Sequence, residues 1–286
     1  MTTIGLALKD PPMAAVRRMA TTAEHAGLTH LLTTEQAVVE DPATGRDPFL
    51  VAAAVLSVTE RLRAGTGVVG SVFHAPRHLA LSAATLQEQS AGRFVLGVGV
   101  SHKVFADHIG WPYPTSPLTH AKEHVSELVA YSRSGLAFGG GFPVWLAALG
   151  DKMLETAAVH ADGVLLNWVS PETVRRSLDH LAQKSLPRPT VAVFVRVAHS
   201  EVLLAGARSY TNNYVNYARH FERQGLANPE DVVERTCGDM NKIDALVRLV
   251  TEYESAGADH VILYPAGVPM PEAERLIRTF VEARSY

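Results

Sequence analysis

The chain has 286 residues, 47% apolar and 19% charged, with 26 Lys and Arg against 29 Asp and Glu and a net charge of −3. That balance excludes a largely disordered chain and gives no basic excess for nucleic acid or an anionic membrane. The lone Cys237 permits no internal disulfide, Phe49 to Leu56 is the longest apolar stretch and far short of the ~20 residues that span a bilayer, and MTTIGLALKDPP lacks a signal-peptide pattern, so a soluble cytoplasmic protein is expected.

Short apolar runs alternate with longer segments of helical spacing. The strand Thr3–Leu8 precedes the helix Met13–Ala26, and Thr29–Thr34 precedes Pro48–Thr59. Leu62–Gly67 leads to Pro76–Gln89, and Phe94–Gly99 to Leu118–Ser132. Val144–Ala148 leads to Lys152–Ala161, and Gly163–Asn167 to Pro171–Lys184. Thr190–Val197 opens onto a long helical stretch, Ser200 to Ser255, expected to hold two or three helices; His260–Tyr264 and Pro271–Ala283 close the chain. The strands are nearly continuous apolar runs, as in strands buried on both faces. Pro opens several helices, as in Ser170-Pro171-Glu172, and Gly closes others, as at Gly27 and Gly257. Eight strands each followed by helix predict one α/β domain over residues 1–286, a (β/α)8 TIM barrel with an extended helical insertion before the last strand; a doubly wound sheet is the alternative.

In such barrels the site lies at the C-terminal strand ends. These supply Lys9 and Asp10, Glu35 and Gln36, Gly67 and Val68, Val100 to His102, Leu149 to Lys152, Asn167 and Trp168, Arg196 and His199, and Tyr264. The run Gly65 to Gly70 matches G-x-G-x-x-G, but no helix opens directly after it, so a dinucleotide fingerprint is disfavoured. It reads either as a strand end where backbone approaches or bulges without a Cβ, or as Gly for tight strand packing. The run Gly97 to Lys103 carries His102, either a proton exchanger near neutral pH or a solvated loop histidine. At Ala147 to Lys152 a helix N-terminus can bind phosphate, or Asp151 can be a plain N-cap. No metal is expected: His120 and His124 share a helix face, but without HExxH they read as a solvated face. No GxSxG is present, and Cys237 falls in the late helical stretch, away from any strand end.

The run AGTGVVGSVFHAPRHLALSAATLQEQSAGRFVLGVGVSHK, Ala64 to Lys103, resembles the luciferase-like oxidoreductase superfamily. The block Pro143 to Glu172 and the ending SAGADHVILYPAG are similar to later segments of that family, and LNWVSPE resembles its coenzyme F420 (deazaflavin) branch. The resemblance implies a hydride-transfer enzyme acting on a small-molecule substrate as a homodimer, with flavin mononucleotide (FMN) as the alternative coenzyme. It also implies a ring lying across the barrel mouth, backed by a bulge at Gly67-Val68 that in this branch often contains a non-proline cis peptide, beside Val100 and Ser101. The coenzyme phosphate would sit on Ala148, Leu149, Gly150, Asp151 and Lys152. Related dehydrogenases often have Asp-His where this chain has Glu35-Gln36, and a carboxylate in place of His102. His102 is therefore the expected proton donor or acceptor, with Glu35 orienting ring or substrate. An FMN-dependent monooxygenase and a coenzyme-binding protein without turnover are the competing readings.

Overall fold

The computed structural model describes residues 2–35, 45–135 and 140–284. The first half holds β1 (Thr3–Lys9), α1 (Met13–His25), β2 (His30–Thr34), α2 (Pro48–Leu56), β3 (Arg63–Thr66), β4 (Val69–Gly70), α3 (Pro76–Gln89), β5 (Phe94–Gly99), α4 (Lys103–His108) and α5 (Pro117–Arg133). The second half begins with β6 (Val144–Ala147), α6 (Asp151–His160), β7 (Gly163–Asn167), α7 (Pro171–Gln183) and β8 (Thr190–Ala198). It continues through α8 (Ser200–Asn213), α9 (Val215–Gln224), α10 (Pro229–Thr236), β9 (Cys237–Asp239), α11 (Ile243–Ser255), β10 (His260–Tyr264) and α12 (Met270–Arg284).

Eight parallel strands close a barrel in the order β1, β2, β3, β5, β6, β7, β8, β10, with β10 returning to β1. The expected TIM barrel is what forms. Inward side chains from strands around the barrel (Leu32, Val95, Leu165, Phe194, Ile262 and Tyr264 among them) fill its interior. A second layer packs the outer strand faces against the helices, and a third, around Trp168, Leu203, Tyr217 and Phe221, lies under the insertion helices. Four helices open with Pro behind a side-chain cap: Asp47, Ser116, Ser170 and Asn228 each accept from a first-turn N–H.

Four local expectations need correction. The stretch from Ser200 to Ser255 holds four helices and a short strand, β9, which pairs with the end of β8. Cys237 is thus not remote from a strand end: it opens β9, buried, in register with Arg196. A three-residue strand bounded by helices is too short to show a period of its own. His124 is not on a solvated face, being buried at 5% exposure on α5. α4 also lies where no helix was expected.

Candidate active site at the barrel mouth

The strand that begins at Arg63 is interrupted. β3 ends at Thr66, the Gly67–Val68 peptide is cis, and β4 resumes at Val69 beside Val98 of β5. Across the gap the Thr66 hydroxyl substitutes for the ladder, donating to the Gly97 carbonyl (2.7 Å) and accepting from the Gly97 N–H (2.9 Å). Gly65 and Gly97 serve close packing, since a Cβ on either would lie 2.1–2.2 Å from a carbonyl oxygen of the facing strand. Gly67 faces inward, where a Cβ would meet Phe194 and Leu32. Both readings of the glycine run are therefore realised, at different glycines.

The end of β2 brackets this bulge. Gly67 N–H donates to the Thr33 carbonyl (2.9 Å), and Glu35 N–H donates to the Val68 carbonyl (3.1 Å). One Glu35 carboxylate oxygen accepts from Gly70 N–H (2.7 Å), and the other meets His74 Nε2 at 2.5 Å. The Glu35 hydrogen bond raises the pKa of His74 above its ordinary value, against the opposing effect of burial. With both oxygens engaged, Glu35 is a clamp on the bulge rather than a free acid or base. Gln36 lies outside the described residues.

Val100 leaves β5, Ser101 takes a left-handed φ of 76°, and His102 caps α4 by backbone alone. The His102 ring lies 4.6 Å from that of Tyr214 and 5.7 Å from that of Tyr217, both carried by the insertion. Burial pushes its pKa down to about 4, against an opposing hydrogen bond with Asn216. The ring is thus neutral at pH 7, not poised near neutrality as its ordinary value would suggest.

Ala148 and Leu149 lead into α6. Gly150 is the N-cap, and Asp151, the first helical residue, caps nothing. A Cβ on Gly150 would lie 3.4 Å from the Arg223 guanidinium, which donates to the Leu149 carbonyl (2.9 Å). His220 holds the same loop from α9, its Nδ1 2.7 Å from the Leu149 carbonyl and its Nε2 2.9 Å from the Trp168 carbonyl. Asp151 and Lys152 are exposed. Leu149, Gly150, Asp151, His220 and Arg223, together with Arg175 and Arg176, line a cleft of about 640 Å³. A helix N-terminus under a guanidinium is a fitting seat for a phosphate. Among the described residues, no group of three or more His, Cys, Asp or Glu is placed to hold a metal ion, and no helix is long and apolar enough to cross a membrane.

Sequence reasoning placed Arg196, Trp168 and Tyr264 at strand ends but gave them no role. Arg196 is the one charge in the buried run Thr190–Ala198, and that was the available signal. Its guanidinium carbon sits 4.6 Å from the Trp168 ring, 4.9 Å from Tyr210 and 4.8 Å from Tyr264. The roles of Tyr210, Tyr217, His220 and Arg223 were missed, because α8 and α9 reach the mouth only through tertiary packing.

The family model for luciferase-like monooxygenases matches residues 2–124 and 110–260. A 5,10-methylenetetrahydromethanopterin reductase of Archaeoglobus fulgidus is 29% identical over 216 residues, 69% of this chain and 64% of that protein. A Mycobacterium tuberculosis protein named as a coenzyme F420-dependent oxidoreductase is 33% identical over 181 residues, 52% of this chain and 50% of its own length. The matches therefore span between half and two thirds of these curated relatives. A coenzyme F420-dependent tetrahydromethanopterin reductase of Methanopyrus kandleri superposes with a TM-score of 0.73 at 19% identity, over 99% of this chain and 97% of that one. An F420-dependent secondary alcohol dehydrogenase, solved with an F420–acetone adduct, gives 0.77 at 15% identity over 99% of both chains. These superpositions bear on the fold alone. The chain belongs to the luciferase-like monooxygenase family.

Proposed function

We propose that the protein is a coenzyme F420-dependent oxidoreductase acting on a small organic molecule. The observation that carries this reading is the anion seat at α6, where Gly150 opens the helix beneath Arg223 on the same rim as the bulge at Gly67-Val68. The names of the sequence relatives favour F420 over FMN. Bound there, the deazaflavin would supply the hydride chemistry.

The chain's own residues would do the rest. Ala148, Leu149, Gly150, Asp151 and Lys152 would hold the phosphate through backbone N–H groups, with Arg223 adding a fixed positive charge. Glu35 and His74 would hold the bulge loop in place through Gly70. Val100 and Ser101 would border the ring, and the neutral His102 would accept a proton from substrate, or hold one through its ring N–H, within a wall of Tyr214 and Tyr217. A protein of this kind would work in the cytoplasm, and a homodimer is the assembly we expect.

Equilibrium titration of the purified protein with F420 and with FMN tests the reading. Tighter F420 binding is expected; equal or reversed affinities would refute the F420 assignment.

A further inference from the structure

Arg196 is 9% exposed, yet no carboxylate among the described residues pairs with it. Among the described residues its one hydrogen bond runs from Nη2 to Tyr210 Oη (3.0 Å), and its buried Nε–H has no acceptor. Its ionisable neighbours do not neutralise it. Burial pushes the Cys237 thiol up to about 11 and raises Tyr217 and Tyr264, so these groups stay protonated at pH 7. Three aromatic rings stabilise a cation through their faces, but they accept no N–H in the guanidinium plane. A buried, uncompensated charge of this kind is strongly destabilising unless something completes it.

Its position is specific. Phe194 and Arg196 are two residues apart on β8, so both point into the barrel, Arg196 one layer nearer the mouth. The Phe194 ring lies where a Cβ on Gly67 would reach it at 2.8 Å, and Tyr264 pairs in register with Arg196. Tyr210 and Tyr217, whose rings are 4.7 Å apart, connect Arg196 to His102. Two orphaned polar atoms lie close by: Trp168 Nε1–H on the ring that faces the guanidinium, and Asn167 Oδ1 on a residue in register with Phe194. This gathers a fixed cation one layer above the bulge, with two unused polar atoms and a set of flat apolar walls around it.

We infer that this box is the substrate's carboxylate seat: the mouth takes a small planar organic acid whose carboxylate docks on Arg196 and whose conjugated frame lies against the surrounding rings. Guanidinium and carboxylate match in charge and plane, which a neutral amide does not reproduce. The inference rests on reading the mouth as a substrate site, and its test is independent of the coenzyme.

Isothermal titration of the coenzyme-free protein with benzoate, trans-cinnamate and crotonate, each compared with its primary amide, measures the preference directly. At least one acid should bind tenfold or more tightly than its amide, and Arg196→Gln should erase that preference while leaving F420 affinity within about threefold. Absence of any acid preference in the wild-type protein overturns the inference, and that comparison stands even if Arg196→Gln fails to fold. A preference that survives Arg196→Gln, or a parallel loss of F420 binding in that variant, overturns it as well. F420 titrated into the same preparation separates the two ideas: binding without acid preference removes only the carboxylate seat, and acid preference without F420 binding removes only the oxidoreductase reading.

Discussion

The two ends of the barrel satisfy their polar groups in opposite ways. At the floor, where strands begin, one carboxylate or guanidinium after another completes a strand start. Glu24 accepts the N–H groups of Glu60, Arg61 and Leu62, and Arg93 donates to the carbonyls of Leu56, Leu62 and Ser90 and to the Thr59 hydroxyl. Asp162 and Asp259 accept from Val144 and Val191 at the starts of β6 and β8. Even His30 and His260, beside a floor cavity of about 560 Å³, are tied through Thr29 and Thr3. At the mouth, buried polar atoms of Asp10, Asn167, Trp168 and Arg196 have no partner among the described residues. Each such group costs free energy when unpaired. The floor holds the barrel together, and the open atoms at the mouth are the ones the proposed substrate would complete.

The sharpest way to break this contrast is to damage the floor. Arg93→Ala should cost about 3 kcal/mol of stability, because four acceptors lose their donor. Chemical denaturation would register the loss, and coenzyme affinity should not change. A large affinity change would mean the two ends are coupled. The reverse experiment is His102→Asn, expected to lower kcat on the order of a hundredfold with little change in melting temperature. Because burial already keeps His102 neutral down to about pH 4, the kcat profile of the wild type should be flat from pH 6 to 8. A rate that follows a group titrating near 6.5 would remove His102 from that role.

Acid should strike both ends. Burial pushes His30 to about 3, and His102, His124 and His220 to about 4. Between pH 6.5 and 4 the unfolded chain therefore binds protons the fold excludes, and stability falls as pH falls through that window. One such histidine accounts for about 2 kcal/mol between pH 7 and 5. His74 has the opposite sign, its raised pKa adding stability at low pH that is lost as pH rises through its folded value. Urea midpoints measured across pH 4–8 would show the net slope, and a midpoint that rises toward pH 5 would contradict it. The smallest effect expected is for Gly150→Val. The new side chain meets only the flexible end of Arg223, so the melting temperature should hold while coenzyme affinity drops roughly tenfold, about 1.4 kcal/mol. Unchanged affinity would make the α6 loop purely structural.

The sequence makes the strand–helix frame readable, because strands buried on both faces and helices punctuated by Pro and Gly are local signals. The glycine run left a bulge and tight packing as alternatives, and the resemblance of Ala64 to Lys103 to known proteins placed the bulge at Gly67-Val68. Local pattern could not show that Glu35 is held by His74, or that His102 lies under Tyr214 and Tyr217, since those pairs meet only when distant elements fold together. It also could not show the break at Tyr214, where an extended backbone separates two helices that one helical period would join. The charge at Arg196 was visible, but its lack of a partner was not.

The three tryptophans are distributed so that each end of the barrel reports on itself optically. Trp168 stacks on Arg196 at the mouth, Trp145 packs against His30 and His260 at the floor, and Trp111 is 47% exposed. Iodide should quench the emission of Trp111 first. Protonation of the floor imidazoles should dim Trp145, and anything that displaces the guanidinium from Trp168 should change the remaining signal. Single-tryptophan variants would then let events at the mouth and the floor be timed separately in one unlabelled protein.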